Sequence, residues 1–170
     1  MSREAMERAK AWLKTWCAFV MPEENTIDAV IDRGVTLKRR MGINAFVVDP
    51  WTELDHTRPA GMSETEFIHA SLTKIRTFAR NYACHVWVIA HPTKLQKNPD
   101  GGYPVATPYD ISGSAGWFNK ADNCLSVWRN KGDERQPVEL HVQKIRFHEI
   151  GGLGMVQFRH DRLTGRYWEV

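Results

Sequence analysis

The chain has 170 residues, about one domain's worth, and its 42% hydrophobic and 25% charged residues are the balance of a globular protein with a real core. No apolar run approaches the roughly 18 residues of a membrane span, and the opening residues mix both signs of charge, so a membrane protein or a signal core is not expected. A net charge of +3 permits a polyanion partner without demanding one, and three widely spaced cysteines (Cys17, Cys84, Cys124), each in or beside an apolar run, are expected to be reduced core thiols, with no disulfide framework or zinc site.

Residues Ser2 to Thr15 predict a helix, with Met6, Ala9, Trp12 and Leu13 at helical spacing and no proline. Trp16 to Met21 reads as a short strand stopped by Pro22. Asn25 or Thr26 can cap a second helix whose apolar stripe is Ile27, Val30, Ile31 and Val35, with Gly34 on the same face. Lys38, Arg39 and Arg40 suit its negative end, and Gly42 stops it. Ile43 to Asp49 is then an apolar run ending in one acid and a proline, the pattern of a central parallel strand covered on both faces. Ser63-Glu64-Thr65-Glu66 is a capping box for a helix reaching about Tyr82, striped by Ile68, Leu72, Ile75, Ala79 and Tyr82.

Val86 to Ala90 predicts a second buried strand, ending in His91-Pro92-Thr93-Lys94. The Leu95–Pro108 stretch is rich in Pro, Gly and polar residues, and a loop of that length is usually functional. Ile111 to Gly116 leads into a short helix through Ala121, followed by a strand from Cys124 to Trp128 that ends at Arg129. The remainder reads as antiparallel: Val138–Ile145, Gly154–Arg159 and Arg166–Val170, with a turn at Asp161–Gly165. No repeat and no second domain is visible, so an α/β fold in one unit, residues 1–170, is expected.

Apolar strand, polar residue, proline occurs twice, at Asp49-Pro50 and His91-Pro92. That places Asp49 and His91 at one edge of a parallel sheet, where open α/β sheets keep their working residues. A single carboxylate can hold magnesium through water, because magnesium keeps several waters and needs few protein ligands. A neutral histidine beside it could sense a terminal phosphate. Lys144 and Arg146, two apart on a strand, point the same way and suit a phosphate. Plainer roles compete: Asp49 capping the Pro50-Trp51-Thr52 turn, His91 as a hydrogen-bonded strand end, and the Lys-x-Arg pair as a solvated face. A metal-dependent hydrolase built on Asp49, Asp55, His56 and His91 is a further alternative, whose ligands lack close helical or strand spacing.

From Asn44 to Val170 the chain resembles the C-terminal part of the RecA-like motor domain of DnaB-type ring helicases, in the branch of Twinkle and the phage primase-helicases. The residues that carry the resemblance are Ala45–Asp49 (the Walker B strand), Cys84–Pro92, Ile111–Ala115, Asn119–Asn123 and Val142–Phe147, in that order and spacing. It implies a RecA-like P-loop NTPase core, a parallel sheet flanked by helices with C-terminal antiparallel strands. It also implies that Asp49 holds the Mg2+ of ATP or another NTP and that His91 is the switch reading the γ-phosphate. Lys144 and Arg146 would reach the nucleotide of the neighbouring subunit of a homo-oligomeric ring, Arg146 as the arginine finger. Arg129 would lie near the base or ribose, and Lys94 and Lys97 would face single-stranded DNA. The implied setting is a bacterial or phage-infected cytoplasm or the mitochondrial matrix.

A complete motor of this kind begins with a phosphate loop, Gly-x-x-x-x-Gly-Lys-Ser/Thr, whose amides and lysine cradle the phosphates. None of the 12 glycines here is followed by lysine. The expectation is the distal portion of an ATP-driven DNA helicase, with the phosphate-loop portion missing and the catalytic glutamate ahead of Met1; nothing in the pattern gives Glu53 that role. Such a portion would need an upstream helicase segment as partner and would not hydrolyse ATP alone. A non-catalytic module that docks on a helicase ring or DNA and regulates it is the alternative, and a RecA-like plasmid-replication motor is a nearer cousin of the first.

Overall fold

The computed structural model describes residues 2–99, 101–113, 115–130 and 136–170. Its three long helices each begin where a side chain accepts a backbone N–H left open at the helix terminus, and one of them closes on a glycine. Helix α1 (Arg3–Trp16) opens on Ser2, whose hydroxyl accepts the Ala5 N–H at 3.2 Å. Helix α2 (Ile27–Met41) opens the same way on Thr26 and closes on Gly42, which takes the left-handed φ of 67° that suits glycine. Helix α3 (Glu64–Asn81) carries the capping box in full: the Glu66 N–H donates to the Ser63 hydroxyl at 3.3 Å, and the Ser63 N–H donates to the Glu66 carboxylate at 2.8 Å.

The Ser63 hydroxyl first, and its N–H second, hold the Glu66 carboxyl below its ordinary pKa. A depressed folded-state pKa contributes stability above the ordinary carboxylate range, and that contribution is lost as pH falls through the folded value. Ser63→Ala should therefore lower the urea midpoint at neutral pH, and the gap to the unaltered chain should narrow in strongly acidic buffer. An equal gap at both pH values would show that the carboxylate takes no part in the cap.

Strands β1 (Ala45–Val48) and β2 (His85–Val88) pair in parallel, in register from Ala45 opposite His85 to Val48 opposite Val88. Helices α2 and α3 pack together on one face of this pair, where Phe46, Val48, Phe78 and Cys84 form a buried cluster with Val30, Ile31 and Val35 against it. Phe46 and Phe78 meet edge to face at 5.8 Å, a geometry aromatic rings prefer. Gly34 sits on the apolar stripe because a Cβ there would stand 2.9 Å from Phe78 Cζ. A second cluster joins Ile27 of α2 with Ile68, Leu72 and Ile75 of α3, Trp51, and Trp117 of helix α4 (Ala115–Lys120).

The expectation of cover on both faces is not met. Val47 and Trp87, on the side away from the helices, are 54% and 47% exposed. Both flanking helices lie on the same side, and no described element covers the other.

Beyond α4 the chain builds a four-stranded antiparallel sheet in the order β3 (Asn123–Trp128), β4 (Val138–Ile145), β5 (Gly154–His160), β6 (Tyr167–Glu169). Among the described residues no ladder joins it to the β1–β2 pair, so the outer edges of β2 and β3 carry no strand partner. The α/β layout with C-terminal antiparallel strands is the expected one.

Two local expectations are corrected. Trp16 to Met21 is not a strand: α1 runs through Trp16, and residues 17–20 follow without a ladder. Cys17 has strand-like dihedrals (φ −127°, ψ 133°), but a strand needs a neighbour, and Phe19 and Met21 lie almost fully in solvent. For the same reason Cys17 is exposed, whereas Cys84 is buried and Cys124 half-buried, so only part of the core-thiol expectation holds.

Candidate functional site

The parallel pair continues past its strand ends. The Ile89 N–H donates to Val48 O at 2.9 Å, and the Trp51 N–H donates to Ile89 O at 2.8 Å. This ladder carries Asp49 and His91 to the same carboxyl edge, the arrangement their two proline-terminated strands imply. Both side chains are exposed, and neither makes a hydrogen bond or ion pair to a described residue. The short 3-10 turn Trp51–Glu53 begins on Pro50 with no side-chain cap, so Asp49 does not serve that turn. Nor is His91 held as a hydrogen-bonded strand end. What remains is one acid and one imidazole, open to solvent at the edge where α/β sheets bind ligands.

Among the described residues no three His, Cys, Asp or Glu side chains converge as metal ligands. An all-protein metal cage is thus not built by the described residues, and a lone carboxylate such as Asp49 suits only a cation that keeps most of its waters, as magnesium does. The hydrolase alternative fares poorly. Asp55 accepts the Thr57 N–H and hydroxyl at 2.8 and 2.6 Å, bonds that lower its pKa, the hydroxyl most. His56 Nε2 lies 3.1 Å from Trp51 O, with its ring tilted against Trp51.

Lys144, near the end of β4, and Arg146, one residue past it, both reach the C-terminal end of α4. Lys144 Nζ donates to Phe118 O and sits 4.6 Å from the Phe118 ring centroid. Arg146 Nη2 donates to Asn119 O and Ala121 O at 2.7 and 3.1 Å, and its Nε lies 2.6 Å from Asp122 Oδ1. That Nε contact is ionic only, because the N–H is not aimed at the carboxylate. Arg76 from α3 shares the same Oδ1 at 3.1 Å. Cations belong at a helix C-terminus, where backbone carbonyls face outward. Burial, then the Arg146 charge, pushes the Lys144 pKa below the usual lysine range. The pair lines a cleft of about 340 Å³ with Phe118 and His148.

The structure thus groups the candidates in two places. Asp49 and His91 share one edge; Lys144 and Arg146 share the α4 terminus, with no contact to the first pair. Arg129 is exposed just past β3, and the neighbouring Trp128 indole donates to Tyr103 O at 2.9 Å, which puts Arg129 beside the long loop. Lys94 and Lys97 are exposed on that loop. Ser112 donates to Glu64 at 2.5 Å; Ser114 lies outside the described residues. Sequence reasoning gave no role to Asp122 or Arg76, although Asp122 is the anion around which two arginines gather. The spacing of Asp122 and Arg146 carries no signal of this, because the contact depends on β3–β4 pairing: the Arg146 N–H donates to Asp122 O at 2.8 Å.

No family model matches the chain. Over 173 aligned residues, 98% of the chain, it is 40% identical to the Twinkle homolog protein, chloroplastic/mitochondrial, of Arabidopsis thaliana, and it spans 24% of that relative's length. Among solved structures, a DnaB-like replicative helicase studied with primase matches 98% of the chain at TM-score 0.76 and 16% identity, over 42% of its own length. A second solved structure, an ATPase domain, matches 85% at TM-score 0.69 and 17% identity, over 51% of its length. At those identities the structural matches speak for the fold. Over nearly its whole length, then, the chain is related to Twinkle and has the RecA-like fold of DnaB-type helicase ATPase domains.

Proposed function

We propose that residues 1–170 form one partial motor domain, the distal portion of an ATP-dependent replicative DNA helicase. The observation that carries this is the carboxyl edge of the parallel pair, where Asp49 and His91 both lie just past the strand ends with no partner among the described residues to occupy them. Bound magnesium-ATP would supply the phosphoryl group and the cation that neutralises its charge. Asp49 would anchor that cation through its carboxylate, and the His91 ring would report on the terminal phosphate. Lys94 and Lys97 would meet the phosphates of a single strand.

The chain has no Gly-Lys pair with which to build a phosphate loop, so another polypeptide segment must bring it. The open face at Val47 and Trp87 and the unpaired edge of β2 are surfaces on which such a segment can add. In a ring, Lys144 and Arg146 would serve the neighbouring subunit's nucleotide, and Arg146 would first have to leave Asp122 and the α4 carbonyls.

That engagement of Arg146 favours a second reading, a non-catalytic RecA-like module that docks on a helicase ring or on DNA and regulates it. Turnover separates the two. The chain alone should show no magnesium-dependent ATP hydrolysis; mixed with a segment carrying the phosphate loop it should, and Asp49→Ala should then reduce the rate about a hundredfold, some 2.7 kcal/mol of barrier. Substantial turnover by the chain alone would overturn the need for a partner. An inactive mixture that still forms a complex would leave the regulatory module standing.

A further inference from the structure

The long loop after β2 is an anchored ribbon. At its base the Thr93 N–H and hydroxyl both donate to Asp110 O, at 2.7 and 2.8 Å. Near its tip the Asn98 N–H donates to Gly102 O at 2.8 Å, turning the chain back. The returning limb runs antiparallel to β3: Trp128 Nε1 donates to Tyr103 O, and the Ser126 hydroxyl donates to Ala106 O at 2.6 Å, with Gln143 Nε2 on the same carbonyl at 2.9 Å. A segment tied at so many points has already lost the entropy that a floppy loop would lose on binding.

This ribbon displays two aromatic rings next to its two lysines. Lys97 Nζ lies 5.5 Å from the Tyr103 ring centroid, and Tyr103 is 44% exposed. Tyr109 is placed near Lys94 by the bonds that close the loop: Thr93, which precedes Lys94, is bonded to Asp110, which follows Tyr109. One face of Tyr109 stacks on Phe118 at 5.0 Å and 25°, yet the residue is 55% exposed. Phe118 backs that ring, so its outer surface is rigid and presented to solvent. The acid at the base, Asp110, does not oppose the lysines freely, because its carboxylate accepts the Thr107 N–H and hydroxyl at 2.7 and 2.8 Å. Asp100 lies outside the described residues.

We infer that Tyr103 and Tyr109 are two base-stacking positions for single-stranded nucleic acid, set along the ribbon beside Lys97 and Lys94. The inference rests on the proposed DNA-facing role of those lysines and adds to it a contact with bases where the lysines contact phosphate. Aromatic platforms interleaved with cations are how sequence-tolerant single-strand binding is built, since every base offers a π-face and every linkage a charge. A lysine amine against one side of Tyr103 also leaves its remaining surface to a neutral, flat partner.

The test compares a fluorescent oligo-dT with an abasic strand of equal length, titrated with the 170-residue chain at low salt. The chain should bind oligo-dT about tenfold or more tighter than the abasic strand. Tyr103→Ala and Tyr109→Ala should each reduce that preference severalfold while leaving abasic binding unchanged, which also certifies that the variants are folded. Tyr103→Phe and Tyr109→Phe keep the ring and should keep the preference. Lys94→Ala with Lys97→Ala should weaken both strands alike and flatten the salt dependence. If the lysine changes weaken binding but the alanine variants keep the preference, the stacking inference falls and the DNA-facing reading survives. If the chain binds neither strand, both fall.

Discussion

Trp117→Ala should destabilise the chain by about 3–5 kcal/mol, the range for emptying a buried tryptophan site. That is a large share of the roughly 5–15 kcal/mol on which a domain of this size rests, so the variant should be partly unfolded near its normal melting range. Trp117 is buried at the centre of the cluster that holds α4 to α3, and its ring meets Trp51 edge to face at 5.0 Å and 86°. Its Nε1 donates to Ser112 O at 2.8 Å. Trp51 in turn donates to Ile89 O, one residue pair beyond the β1–β2 ladder. The indole thus joins the Ser112 segment to the edge that carries Asp49 and His91. Trp117→Phe should keep most of the packing and lose the hydrogen bond, costing about 0.5–1.5 kcal/mol, because Ser112 is exposed and water can take the indole's place at its carbonyl. Urea unfolding with near-ultraviolet circular dichroism checks both; a loss below about 1 kcal/mol for the alanine variant would show that the cluster repacks and that α4 is not held through this ring.

The elements that could be read from the sequence are those decided by local rules. The box at Ser63 and Glu66, the cap at Thr26 (one of two candidates with Asn25) and the stop at Gly42 each depend on residues within a turn of one another, and each appears as expected, whereas Ser2, read as the first helical residue, is the cap of α1. The antiparallel strands from Val138 onward came from alternation and turn residues; the first has the expected bounds, and the ends of the other two moved by one residue at most. The edge holding Asp49 and His91 was legible for a similar reason: two apolar runs each closed by a polar residue and a proline fix which end of each strand is which.

What was not legible depended on partners. Val47 and Trp87 have the composition of covered residues, and composition reports a demand for cover without reporting whether a covering element is at hand. Trp16 to Met21 has the residues of a strand, and Cys17 even has the dihedrals, yet a strand exists only beside another. The same limit applies within the candidate site. Alternation alone predicts that Lys144 and Arg146 share a face, and both reach one helix end, but the choice of what they touch lies with α4 and Asp122. Gly34 was visible only as a gap in an apolar stripe; the ring of Phe78 that occupies the gap comes from the next helix, far along the chain, and no local rule could have supplied it.

Gly113→Ala should cost about 2–5 kcal/mol, from two separable sources. Gly113 has φ +71°, where an alanine pays about 1–2 kcal/mol for its Cβ. That Cβ would also stand 2.5 Å from Ile68 Cδ1, and Ile68 is 1% exposed, so the side chain must move within a filled core, at about 1–3 kcal/mol. The offending atom suggests its own control. Ile68→Val deletes Cδ1 and alone should cost about 0.5–1.5 kcal/mol. With Cδ1 gone, the nearest atoms to the new methyl are Cβ and Cγ1 of residue 68 at 3.5 Å, ordinary contact. The double variant should therefore be more stable than the sum of the single losses implies, by about 1 kcal/mol or more, while still carrying the backbone strain. Strict additivity in urea unfolding would mean that the cost at Gly113 is wholly conformational and that Ile68 yields without resistance. Coupling would locate the constraint between the Ser112–Gly113 turn and α3, away from the open sheet face, where the fold has already settled its packing without any further partner.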